Sequence, residues 1–169
     1  PELIRSVLGH LADRVAGRLR AKQRAGRTIT VRVRFSSREH GQRPITRSFT
    51  SDTPIATTLT LTEIAERLVA RGLADHPDRR EISLLAISVS NLVDQPVLQL
   101  ELPIDADTPD GGEVPRAGSR VGSARWAVDT QIDAIRQKFG RSAVGYTSTA
   151  LSNAVSVPDE FRELAEHEL

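Results

Sequence analysis

Apolar residues recur at three- and four-residue steps from the start of the chain: Leu3 and Ile4, Val7 and Leu8, Leu11, Val15 and Leu19. That spacing lays one apolar stripe along a helix over about residues 2–22. Its last turn is basic, which suits the negative end of a helix dipole, and Gly26 reads as the stop. At Thr28 the period changes to two. Ile29, Val31, Val33 and Phe35 point one way, while Thr28, Thr30, Arg32, Arg34 and Ser36 point the other. This is the pattern of a half-buried strand with a polar, cationic outer face.

Ser37 to Pro44 is turn-like, and Ile45 to Ser51 predicts a second strand antiparallel to the first. A second helix is expected to start near Pro54, to turn Leu61, Ile64, Leu68 and Val69 inward, and to end near Gly72. After a polar turn at Pro77 to Arg80, Ile82 to Leu92 reads as a third, strongly apolar strand. Helix, two strands, helix and strand predict an α+β fold: an antiparallel sheet with two helices on one face and the other face exposed. Pro, Gly and Asp dominate Pro103 to Val121, as expected of a linker. Beyond it, Ser123 is the expected cap of a helix carrying Val128, Ile132, Ile135 and Phe139 on one face and ending at Gly140. The ending VPDEFRELAEHEL can form one or two more amphipathic turns. The expected organisation is therefore a domain over 1–104, a linker over 105–122 and a helical extension over 123–169.

Composition narrows the function classes. At 38% hydrophobic and 4% aromatic residues, the core has to be built from Leu, Ile, Val and Ala. No stretch approaches the roughly 20 apolar residues of a membrane span, and no signal-peptide pattern opens the chain. The chain starts at Pro1 and enters a helical pattern at once, as an excised fragment would. Cysteine is absent, which excludes disulfides and thiolate metal sites. His10, His40, His76 and His167 have no metal-ligand spacing. The net charge of +1 conceals a local excess. Arg14, Arg18, Arg20, Lys22, Arg24, Arg27, Arg32, Arg34, Arg38, Arg43 and Arg47 are accompanied by one acid, Glu39. Acidic residues gather later, at Asp105, Asp107, Asp110 and Glu113 and near the end. Such segregation points to a polyanion contact on one face.

Thr and Arg in alternation on an exposed sheet can meet a nucleic-acid backbone, because guanidinium forks and hydroxyls both donate to phosphate oxygens without reading bases. The candidates are Thr28, Thr30, Arg32, Arg34, Thr46, Arg47 and Ser48. A plain solvated face, with cations guarding strand edges, fits the same composition. Catalytic constellations are missing: there is no Walker loop, nucleophile elbow or Cys nucleophile. Asp129 and Asp133, one turn apart, can in principle share a metal, but the apolar stripe opposite makes them the expected wet face of the tail helix. No catalytic or metal-binding residue is assigned. Gln99 to Ile104, QLELPI, alternates like a continuing strand, and is also a typical extended peptide for docking into a partner's apolar pocket.

The runs LADRVAGRLRAKQRAGRTITVRVRF, PITRSFT, LTEIAERLVARG and ISLLAISVSNLVD together resemble the little-finger domain of Y-family translesion DNA polymerases, of the bacterial DNA polymerase IV type. The likeness covers nearly all of residues 3–94, and it rests on the order and spacing of loose motifs. The segment ARWAVDTQIDAIRQKFGRSAVGY is similar to the extension of actinobacterial-type members.

The resemblance implies sequence-independent binding of primer–template duplex, with Arg47 of TRSF at a phosphate-contacting position and Arg32 and Arg34 on the strand before it. Ser83 and Ser88 stand where some relatives carry arginine, which weakens the grip there. It also implies a sliding-clamp peptide at Gln99, Leu100, Leu102 and Ile104, with Pro103 in a variable slot. Catalysis by nucleotidyl transfer, with Mg²⁺, belongs in the family to a palm domain outside this sequence. The little finger itself needs no cofactor. The family's first little-finger strand normally precedes the helix that begins here, so a sheet one strand short is expected. The implied setting is cytoplasmic and nucleoid-associated, in DNA repair and damage bypass. A catalytically inactive, clamp-bound accessory protein fits the same residues. An unrelated RNA-binding α+β domain would expose stacking aromatics, which the sheet face lacks.

Overall fold

A computed structural model describes residues 2–36, 44–77, 81–94 and 119–146. The first helix, α1 (Glu2–Ala21), is closed two residues later by Gln23, whose φ of 52° is the left-handed turn that stops a helix, so Gly26 is not the stop. Gly26 lies inside the first strand, β1 (Arg24–Phe35), at a shift in register. A Cβ there would collide with Val89 Cγ1, so close approach of the neighbouring strand explains the glycine.

The second strand, β2 (Ile45–Ile55), runs through Pro54. The second helix, α2 (Thr58–Ala74), therefore starts four residues beyond that proline. The third strand, β3 (Ile82–Asp94), completes an antiparallel sheet of order β2-β1-β3 among the described residues. Strict alternation in β1 is realised as predicted: Ile29, Val31, Val33 and Phe35 are buried beneath the helices, with Arg32 and Arg34 exposed on the other side. Leu8, Ala12, Ala16 and Leu19 of α1 and Leu61, Ile64, Leu68 and Val69 of α2 close the core. The fold is the expected α+β layer pair.

The last helix, α3 (Arg120–Phe139), is capped by Ser119, whose hydroxyl accepts from the Gly122 N–H at 3.1 Å. The cap lies four residues before the expected Ser123. The orientation of α3 is also reversed from the expectation. Val121, Val128, Ile135 and Phe139 are exposed, whereas Asp129 is fully buried and only Ile132 of the expected stripe points inward. Polar side chains on the inner face join α3 to α1 and α2, and Trp126 packs beside them against the core.

Candidate nucleic-acid interface

Register decides what the outer face presents. Thr30 on the central strand stands opposite Ser48 on β2 and Ser88 on β3, and Thr28 stands opposite Thr50 and Ser90. Two rows of three hydroxyls thus cross the sheet. Within them Thr30 Oγ1 lies 3.0 Å from Ser48 Oγ, and Thr28 Oγ1 lies 3.0 Å from Thr50 Oγ1 and accepts from Asn91 Nδ2 at 2.7 Å. A third row holds Thr46, Arg32 and Ala86. Arg34 follows, its Nε donating to Ser83 Oγ at 3.3 Å. The Arg32 side chain makes no hydrogen bond or ion pair with any described residue, so its fork is available to a ligand.

Six of the seven expected residues, Thr28, Thr30, Arg32, Arg34, Thr46 and Ser48, share this face. Arg47 does not. It stands opposite Val31, on the helix side of the sheet, and donates to Asp75 Oδ2 at 2.6 Å just past the end of α2. That hydrogen bond and the guanidinium charge hold the Asp75 carboxyl below its ordinary range. Other members of the basic run are also engaged. Arg24 pairs with Asp94 at 2.6 Å, and Arg20 is buried. Thr50 and Ser90 were missed from the sequence. The signal was the same period-two parity carried two residues further along β2 and β3. Gln99, Leu100, Leu102 and Ile104 lie outside the described residues.

Asp129 and Asp133 form no wet face. Asp129 Oδ2 accepts from the Thr58 N–H at 2.8 Å, capping α2 from another helix, and lies 3.2 Å from Arg20 Nη1. Arg20 also donates to both Asp133 oxygens, at 2.6 and 3.0 Å, and to the Ala56 carbonyl at 2.9 Å. Burial disfavours its charge, but the bond to Asp133 and the charge of Asp129 outweigh this and hold Arg20 more firmly protonated. Arg136 donates to Asp13 at 2.9 Å, and Arg125 forms a two-pronged pair with Glu63 at 2.6 and 2.8 Å. These carboxylates are engaged in joining helices. No group of three or more His, Asp or Glu among the described residues can hold a metal, so they do not fit the Mg²⁺ implied for a palm.

The model of the impB/mucB/samB family C-terminal domain matches residues 1–102. DNA polymerase IV 2 of Mesorhizobium japonicum (strain LMG 29417 / CECT 9101 / MAFF 303099) is 56% identical over 160 residues, which is 95% of this chain and 37% of that protein. The chain thus spans little more than a third of the length of that relative. An alignment of 160 of the 169 residues leaves at most nine unmatched, so the likeness runs through α3 as well as the sheet.

Proposed function

The chain belongs to the impB/mucB/samB family of C-terminal domains, the little fingers of Y-family polymerases, and from that premise we propose that its outer sheet face holds primer–template duplex by the phosphates. The observation that carries this reading is Arg32, whose guanidinium has no partner among the described residues and stands beside two rows of hydroxyls. Alternate residues of a strand are about 6.7 Å apart, so Thr28 to Arg34 offers donors along about 20 Å of backbone. Guanidinium and hydroxyl groups satisfy phosphate oxygens whatever the base, so the grip is sequence-independent. Arg47 stands outside this contact, because it is turned to Asp75.

In the parent protein the domain would steady DNA behind a palm that carries Mg²⁺ and performs DNA-directed DNA synthesis across damaged templates in the cytoplasm. Support comes from the likeness to DNA polymerase IV 2. Gln99, Leu100, Leu102 and Ile104 are proposed as a sliding-clamp peptide, on the strength of their Gln-Leu-x-Leu pattern, which starts five positions beyond Asp94 at the end of β3.

Fluorescence anisotropy with two duplexes of unrelated sequence tests the grip. Equal affinities that fall steeply with salt are expected. Strong preference for one duplex, or affinity indifferent to salt, contradicts the proposal.

A further inference from the structure

A second basic surface lies on the helix side of the sheet, away from the outer face. A groove of about 1150 Å³ runs between the end of α1 and α3, and Arg18, Arg20, Arg136 and Arg141 line it with a single carboxylate, Asp133. Arg20 is held by Asp129 and Asp133, and Arg136 by Asp13 and the Val144 carbonyl. Arg141 is placed differently. Gly140, at a φ of 93°, turns the chain back after α3, and the bonds from Arg136 to Val144 and from Tyr146 to Asp129 fix the returning segment. The Arg141 guanidinium is thereby carried across to α1, with Nη2 3.8 Å from where a Cβ on Gly17 would stand. Its side chain is exposed and makes no hydrogen bond or ion pair with any described residue. Trp126, the one tryptophan of the chain, packs against the core and is half-buried, so part of its ring faces this groove. Exposed Gln23 and Gln137 add side-chain amides to the lining.

We propose that this groove binds single-stranded DNA, with Arg141 on a phosphate and a base stacked on Trp126. A cationic groove beside an aromatic ring suits a polynucleotide, because the charge tracks the backbone and the ring accepts the face of any base. The volume exceeds the roughly 300–1,000 Å³ of a small-molecule pocket, which leaves room for more than one nucleotide. An acidic peptide would match the charge but would leave the ring without a stacking partner.

The strand has to be single. In a duplex the bases are stacked on one another, and their faces are closed to Trp126. Duplex is also stiff over about 150 base pairs, so DNA lying on the outer sheet face cannot fold round the domain to its helix side. An unpaired strand can. The two sites are independent, and each can fail without the other.

Tryptophan fluorescence of the full 169-residue chain, titrated with an oligothymidylate of about 12 nucleotides, tests this. A saturable quench is expected, and a blunt duplex should give none. Arg141→Ala should weaken binding of the oligothymidylate about tenfold, as loss of one charge-assisted phosphate contact does, and lower the salt slope by about 0.7. Its melting temperature should not change, because the residue is exposed. Arg32→Ala with Arg34→Ala should leave the quench where it was. No quench in the wild-type chain overturns the proposal, and so does an equal quench by duplex or a quench that Arg141→Ala leaves intact. Loss of the quench in Arg32→Ala with Arg34→Ala overturns it too, by placing the single strand on the outer sheet face. Polyglutamate that competes as strongly as oligothymidylate assigns the groove to an acidic peptide instead.

Discussion

Tyr146 is the one tyrosine in the chain, and its hydroxyl bonds to buried Asp129. Burial, then the charge of Asp129 and the hydrogen bond to it, push the phenol well above its ordinary value of about 10, against a smaller opposing pull from Arg20. The folded state therefore favours the neutral phenol. Its contribution to stability is complete below the unfolded value of about 10 and is lost as pH rises beyond it. Near-ultraviolet titration of the phenolate reports this residue alone. A native midpoint above 10 that returns to the ordinary value in denaturant is expected, and a native midpoint near 10 contradicts the buried contact. Arg47 teaches a second lesson at this scale. In Ile45 to Ser51 it shares parity with Ile45 and Phe49, not with Thr46 and Ser48. Alternation already turned it away from the outer face, although both the cluster of Thr and Arg and the family position made it a candidate there.

Hydrophobic periodicity located the three helices among the described residues, but it assigned α3 the wrong inner face. The rule that apolar stripes turn inward holds where a helix meets a sheet or another apolar stripe. α3 instead meets helix ends, where backbone groups have no partner within their own helix. Thr58 N–H at the start of α2 and the Ala56 carbonyl beside it need polar partners, and Asp129 and Arg20 supply them. Only tertiary structure reveals this. The sequence carried one hint, the mixed charges Arg125, Asp129, Asp133 and Arg136 at helical spacing along a single side.

Asp129→Ala should therefore destabilise the chain by about 3 kcal/mol, the low end for breaking a buried pair, because Asp133 still holds Arg20. Asp129→Asn keeps an acceptor for the cap and should recover about 1 kcal/mol of this. Chemical denaturation measures both. Two variants as stable as wild type would mean that α3 is not docked through Asp129.

For the molecule as a whole, period-two and period-3.6 patterns were enough to read the sheet, its two covering helices and the exposed hydroxyl and arginine face. Which hydroxyls align across strands depends on register, and Gly26 and the left-handed Gln23 set that locally in ways the pattern does not encode. The proposed clamp peptide is separable from the grip on DNA. Gln99→Ala with Leu100→Ala should abolish retention on the sliding clamp in a pull-down while leaving duplex affinity and melting temperature unchanged. A drop of about 2–5 kcal/mol in stability, with no clamp binding in the parent, would instead mark Leu100 as core.

The central claim, that the outer sheet face holds phosphates, is tested most directly by the slope of log affinity against log salt for duplex DNA. Arg32→Ala with Arg34→Ala should lower that slope by about two, close to one per lost phosphate contact. Stability should move by no more than about 0.5 kcal/mol, since both positions are exposed. Arg47→Ala should leave the slope where it was. An unchanged slope in the double variant, or an equal fall in Arg47→Ala, would contradict the outer face as the site of the grip.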